Sequence, residues 1–154
     1  MISPQVEVVI RPAFANCVSM QWLKDVVETV LQVENRSEGA ELTLLITDDD
    51  EIRALNRRFR GTDRPTDVLA FGGSGEESFV IPEDFALYLG DIVVSYPRAV
   101  AQAESAGHSI KEELALLIIH GCLHLLGYED VEEQERRVMW HRQEEIKDGF
   151  FADG

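Results

Sequence analysis

Cysteine is scarce in this chain. Cys17 and Cys122 are the only two among 154 residues, and they form no close pair. That excludes a disulfide framework or a cysteine-based zinc cluster and points to a reducing, cytoplasmic setting. Basic residues are also few, 14 against 29 acids, for a net charge of −15. Such a balance argues against broad electrostatic binding of nucleic acid. No long apolar run is present. The longest, Leu114 to Leu126, covers thirteen residues, is broken by two histidines and is too short to span a bilayer. The N-terminus, Met1-Ile-Ser-Pro-Gln-Val-Glu, lacks a basic stretch and a long apolar stretch, so no signal peptide is expected. Repeats, low-complexity tracts and Pro-rich linkers are missing too. The remaining expectation is a single domain over residues 1–154, with enough chain for a real core.

What is present is ordered by period and punctuation. Val6 to Ile10 and Leu42 to Thr47 read as strands, as do Asp67 to Phe71 and Leu87 to Val94. Apolar residues at 18, 22, 23, 26, 27, 30 and 31 predict a helix over Val18 to Gln32. Asp48, with Glu51 three residues on, forms a capping-box pattern for a helix reaching Phe59 and closed by Gly61. Gly72 to Asp84 reads as an exposed loop. Ser95 caps a helix that tolerates Pro97 in its first turn and ends at Gly107. Ser109-Ile-Lys-Glu112 opens the next helix, and a last helix runs from about Val131 to Lys147. The order predicts an α+β fold: a small mixed four-stranded β-sheet packed with about five α-helices.

The chemistry concentrates in His120-Gly-Cys-Leu-His124-Leu-Leu-Gly127-Tyr-Glu-Asp130. Side chains four apart share a helix face, so both imidazoles can reach one ion. Gly127 can turn the chain back in a left-handed conformation and deliver Asp130 as a third ligand. Two histidines, a carboxylate and an open position describe a catalytic zinc arrangement rather than a closed structural one. The apolar flanks bury this helix, and unpaired imidazoles there would be costly. Cys122 lies about 200° around the helix from His120 and reads as a small core residue. His108 and His141 read as surface residues, with His141 a fallback ligand. A zincin protease needs glutamate directly after the first histidine. Gly121 stands there instead, which argues against peptide hydrolysis.

Five of the fourteen basic residues, Arg53, Arg57, Arg58, Arg60 and Arg64, fall within twelve positions, whereas Glu129 to Asp148 holds eight acids. The body is acidic, with a local basic patch suited to a phosphate ligand.

Three segments resemble the YbeY family of bacterial endoribonucleases. These are His120-Gly-Cys-Leu-His-Leu-Leu-Gly-Tyr128, Leu89-Gly-Asp-Ile-Val-Val-Ser95 and Leu55-Asn-Arg-Arg-Phe-Arg-Gly-Thr-Asp-Arg-Pro-Thr-Asp-Val-Leu-Ala-Phe71. They lie within about residues 55 to 130, and the N-terminal third fits by element order alone. The resemblance implies a metal-dependent endoribonuclease specific for single strands, acting in ribosomal RNA maturation at the 3′ end of 16S rRNA and in ribosome quality control. It implies one divalent metal ion, zinc first among the candidates. Its partners would be single-stranded rRNA and the small ribosomal subunit, with no membrane and no DNA.

The family's functional arginine falls on Arg60 and its metal histidines on His120 and His124. Its third histidine falls on Asp130, a departure that keeps a competent oxygen ligand. It lowers the charge of the loaded site by one unit and favours harder metals such as Mn²⁺. Arg57, Arg58 and Arg64 are candidates for contacting the RNA backbone. Asp91 is a candidate to support a ligating imidazole through its other ring nitrogen, and Asp67 to satisfy turn amides. Two alternatives stand beside this reading. One is a metallohydrolase of another substrate; the other is a non-catalytic ribosome-associated assembly factor with a weakened metal site.

Overall fold

Leu42, Leu44 and Ile46 point to one side of a strand and Leu45 to the other, and this alternation defines two faces of a sheet. The computed structural model describes residues 4–64, 66–72 and 88–152. Strands β1 (Gln5–Ile10), β2 (Glu41–Thr47), β3 (Val68–Gly72) and β4 (Tyr88–Ser95) form one sheet in the order β1-β2-β4-β3. β1, β2 and β4 run parallel, and β3 pairs antiparallel with β4. Strand β4 lies between β2 and β3 and is buried from Gly90 to Ser95.

Helices α1 (Met20–Val33) and α4 (Ile110–Leu125) pack on the face carrying Leu42, Leu44, Ile46, Ile92 and Val94. Helix α2 (Asp49–Arg60) covers the other face, where Ile52, Leu55 and Phe59 meet Leu69, Phe71 and Val93. Helices α3 (Tyr96–Ala106) and α5 (Glu133–Ala152) complete the fold. This is the mixed four-stranded sheet with five helices that the sequence predicts. No described helix is long and apolar enough to cross a membrane.

The caps account for most boundaries. The Asp48, Ser95 and Ser109 side chains accept from Glu51, Arg98 and Glu112 amides. Gly61 and Gly107 close their helices at φ 71° and 75°. Three details differ. Ser19 caps α1, so that helix starts at Met20 rather than Val18. Glu51 does not close the box onto Asp48 but binds the Arg11 fork at 2.8 Å and the Thr47 hydroxyl. Arg11 hydrogen bonding holds the Glu51 carboxyl below its ordinary range. Helix α5 continues to Ala152 because Phe150 and Phe151 pack against the main core, Phe150 edge-on to Trp22 at 5.9 Å. Of the loop expected over Gly72 to Asp84, everything past Gly72 lies outside the described residues, as does Leu87.

Gly121 has a packing reason. A Cβ there would sit 2.8 Å from Cγ2 of the fully buried Ile92, so α4 approaches β4 too closely for any side chain. Gly121→Ala is expected to destabilise the fold. Overpacking costs about 1–3 kcal/mol, and better helix propensity returns about 1 kcal/mol. A net loss of up to about 2 kcal/mol should appear as a lower urea midpoint with an unchanged slope.

Candidate metal centre

Helix α4 brings His120 and His124 together one turn apart, rings edge-on with centroids 4.6 Å apart. Their Nε2 atoms are 3.2 Å from each other. Gly127, at φ 106°, reverses the chain after α4. Asp130 then places Oδ2 3.5 Å from His124 Nε2 and 3.8 Å from His120 Nε2. Among the described residues, these three are the group whose ligand atoms could hold a metal ion.

The spacing fits an ion. Nitrogen and oxygen ligands about 2.0–2.1 Å from a tetrahedral zinc stand about 3.3 Å from one another, close to the separations here. The outer ring nitrogens support the same conclusion. His120 Nδ1 faces Gln143 Oε1 at 2.9 Å, and His124 Nδ1 faces the Tyr128 carbonyl at 3.1 Å. Both partners accept, so the Nδ1 atoms carry the protons and the Nε2 lone pairs converge on one point. Lone pairs that meet in this way call for a cation between them. Burial lowers the His124 pKa, and the neighbouring His120 lowers it further, against the pull of Asp130. His124 is thereby kept neutral, the form that ligates.

The loop bearing Asp130 is braced from two sides. The Tyr128 hydroxyl donates to Glu34 Oε1 at 2.9 Å, and Arg142 Nε donates to the other oxygen of Glu34 at 2.5 Å. Arg136 Nη1 reaches the Val131 carbonyl at 3.1 Å.

A cleft of about 500 Å³ opens over the three ligands, and Arg60, Asp67 and Ala70 line it with them. Arg60 is the last residue of α2, and its side chain reaches across to β3. One guanidinium nitrogen donates to the Ala70 carbonyl at 2.5 Å, and the group lies 5.5 Å from the Phe71 ring centroid. The neighbouring arginines go elsewhere. Arg57 stands 3.9 Å from Asp63, which also holds Arg53. Arg58 covers the Phe59 ring, and the Arg64 carbonyl accepts from Asn56 Nδ2. Arg57, Arg58 and Arg64 are not among the described residues that line this cleft.

Asp91 does not meet the imidazoles. It is aligned with Thr43 and Phe71 across the sheet, on the α2 face, and accepts a short hydrogen bond from the Tyr88 hydroxyl. The histidine-supporting role expected of it is taken by Gln143 and the Tyr128 carbonyl. Neither carries a spacing signal, because Gln143 comes from a different helix and a carbonyl has no residue identity. Asp67 accepts from the Val68 amide at 2.8 Å, as a turn residue should. Cys122 is fully buried, and burial pushes its thiol up to about 12, which makes it an inert core residue. His108 pairs with Glu113 at 2.7 Å. His141 stays exposed, outside the ligand group.

Comparison with known proteins gives the family. The family model described as endoribonuclease YbeY matches residues 14–150. The endoribonuclease YbeY of Geobacillus thermodenitrificans is 44% identical over 135 residues, covering 85% of this chain and 86% of that protein. The one from Dehalococcoides mccartyi is 40% identical over 148 residues, covering 91% and 92%. The solution structure of TM1509 from Thermotoga maritima superposes with a TM-score of 0.66 at 26% identity, covering 97% of this chain and 91% of that one. With a family model spanning nearly the whole sequence and curated relatives at 40–44% identity, this chain belongs to the endoribonuclease YbeY family.

Proposed function

We infer that this protein is a metal-dependent endoribonuclease of single-stranded RNA. Its substrate is ribosomal RNA at the 3′ end of the 16S species, encountered on the small ribosomal subunit in the cytoplasm during maturation and quality control. One observation carries the reading: His120, His124 and Asp130 converge at ligand spacing in the same cleft that Arg60 lines. A neutral peptide bond offers one carbonyl oxygen to such an arginine, whereas a phosphodiester offers its planar fork two non-bridging oxygens that share a negative charge.

A divalent ion bound at the three ligands, zinc by the donor set, supplies Lewis acidity and an activated water. The chain does the rest. His120 and His124 keep their Nδ1 protons on Gln143 and the Tyr128 carbonyl, fixing the ligating tautomer. The Asp130 carboxylate trims the charge of the loaded centre. Arg60 holds the scissile phosphate and meets charge that builds on it. Arg57, Arg58 and Arg64, outside the cleft, track the RNA backbone further along.

The test is direct. Purified protein should carry about one zinc per chain and cut a single-stranded RNA while sparing its duplex. Chelation should stop cleavage, and added Zn²⁺ or Mn²⁺ should restore it. Cleavage that survives chelation, or cleavage of casein but not RNA, would overturn the proposal. Bound metal with no RNA cleavage would favour an assembly factor instead.

A further inference from the structure

The metal ligands border a second cleft. It measures about 680 Å³, shares His120 and Asp130 with the first, and is otherwise walled by α5. Arg136, Trp140 and Gln143 follow one another at spacings of four and three, so they form a single stripe on that helix. Gln143 is bonded to His120, which fixes the direction of the stripe: Trp140 sits one turn before the residue that holds a metal ligand.

Trp140 is 59% exposed. The other tryptophan, Trp22, is packed against Phe150 and the main core. An indole held in water forgoes the burial that aromatic residues normally gain, so its position calls for an occupant. The surroundings indicate which kind. The nearest exposed apolar residue on α5, Val138, lies about 200° around the helix from Trp140, so the two make no continuous apolar face for a protein partner. Arg136 and Arg137 accompany Trp140 in the cleft, beside the carboxylates of Glu133 and Asp130. Arg137 pairs with Glu133, but both side chains are about three-quarters exposed. Such a pair is weak and exchangeable. An exposed aromatic face with His141 edge-on at 6.0 Å, an exchangeable guanidinium and continuity with the metal centre together describe a stacking platform for single-stranded nucleic acid.

We propose that Trp140 stacks on an unpaired base of the RNA substrate, next to the nucleotide whose phosphate lies at the metal centre, with Arg137 released to the adjoining phosphate. This inference rests on the endoribonuclease reading and adds a base-binding subsite to it. Stacking tolerates any base, so the subsite favours unpaired strands without reading their sequence.

Steady-state cleavage of a single-stranded RNA by the metal-loaded protein tests it. Trp140→Ala should raise KM about tenfold with kcat retained, the mark of lost uniform binding, and Trp140→Phe should recover most of that. In a Trp22→Phe background, where Trp140 is the sole indole, added oligouridylate should quench the fluorescence. An unchanged KM in Trp140→Ala, with wild-type cleavage normal, overturns the subsite and leaves the nuclease reading standing. Failure of the wild type to cleave RNA, together with no quenching in Trp22→Phe, overturns both. A change in sedimentation of Trp140→Ala at unchanged KM assigns the residue to a protein interface and overturns the subsite as well.

Discussion

His120→Ala is expected to lose bound metal and RNA cleavage together, with little loss of fold. Removing one of three ligands leaves the convergent pair of His124 and Asp130, too few to hold an ion against water. The Lewis acidity of such an ion is worth several kcal/mol to a charged transition state, so cleavage should fall by about 10³-fold or more. Stability should change little. His120 is only part-buried, and its protein partner is Gln143, whose hydrogen bond contributes about 1 kcal/mol. Elemental analysis, an RNA cleavage assay and a melting curve on the same preparation separate the effects. Full metal occupancy in His120→Ala would remove it from the ligand set.

Arg60→Ala is expected to keep the metal and lose the rate. A donor preorganised at developing charge is worth about 10²–10³-fold when removed, and kcat/KM on single-stranded RNA should fall by that factor. Arg60→Lys should not rescue it. A lysine cannot span the Ala70 carbonyl and a phosphate with one planar group, and it loses the stacking over Phe71. The structural cost is small, since the guanidinium is exposed at its hydrogen bond and a cation–π contact of that kind contributes about 0.5–1 kcal/mol. Unchanged cleavage would reduce Arg60 to a cation that complements the C-terminus of α2.

The parts of this centre that lie close in sequence are legible there. The four-residue spacing places both imidazoles on one face, and Gly127 returns the chain so that Asp130 arrives. Helix caps at Asp48, Ser95 and Ser109 and closures at Gly61 and Gly107 follow from local chemistry that tertiary packing does not override. The parts that depend on distant contacts are not. Gln143 is 23 positions from the histidine it holds, and Glu34 is 94 from Tyr128 and 108 from Arg142. Proximity within a motif misled for Asp91. A strand turns successive residues to opposite faces, and Asp91 falls opposite the face on which Ile92 meets Gly121. The arginine cluster shows a similar limit. Helical spacing groups Arg53 and Arg57 on Asp63, but it does not reveal which of the arginines lines the cleft, because that depends on how α2 sits against β3.

The brace through Glu34 ties the candidate metal site to three separate elements. Helix α1 contributes the carboxylate, the loop after α4 contributes Tyr128, and α5 contributes both Arg142 and Gln143. With α5 undocked, His120 lacks the acceptor that sets its tautomer, and the Asp130 loop lacks half of its anchor. The three candidate ligands then remain on the chain without the geometry that brings them together. Order at this site therefore depends on the packing of α5, so it should be lost as soon as that helix loosens, before the sheet itself opens.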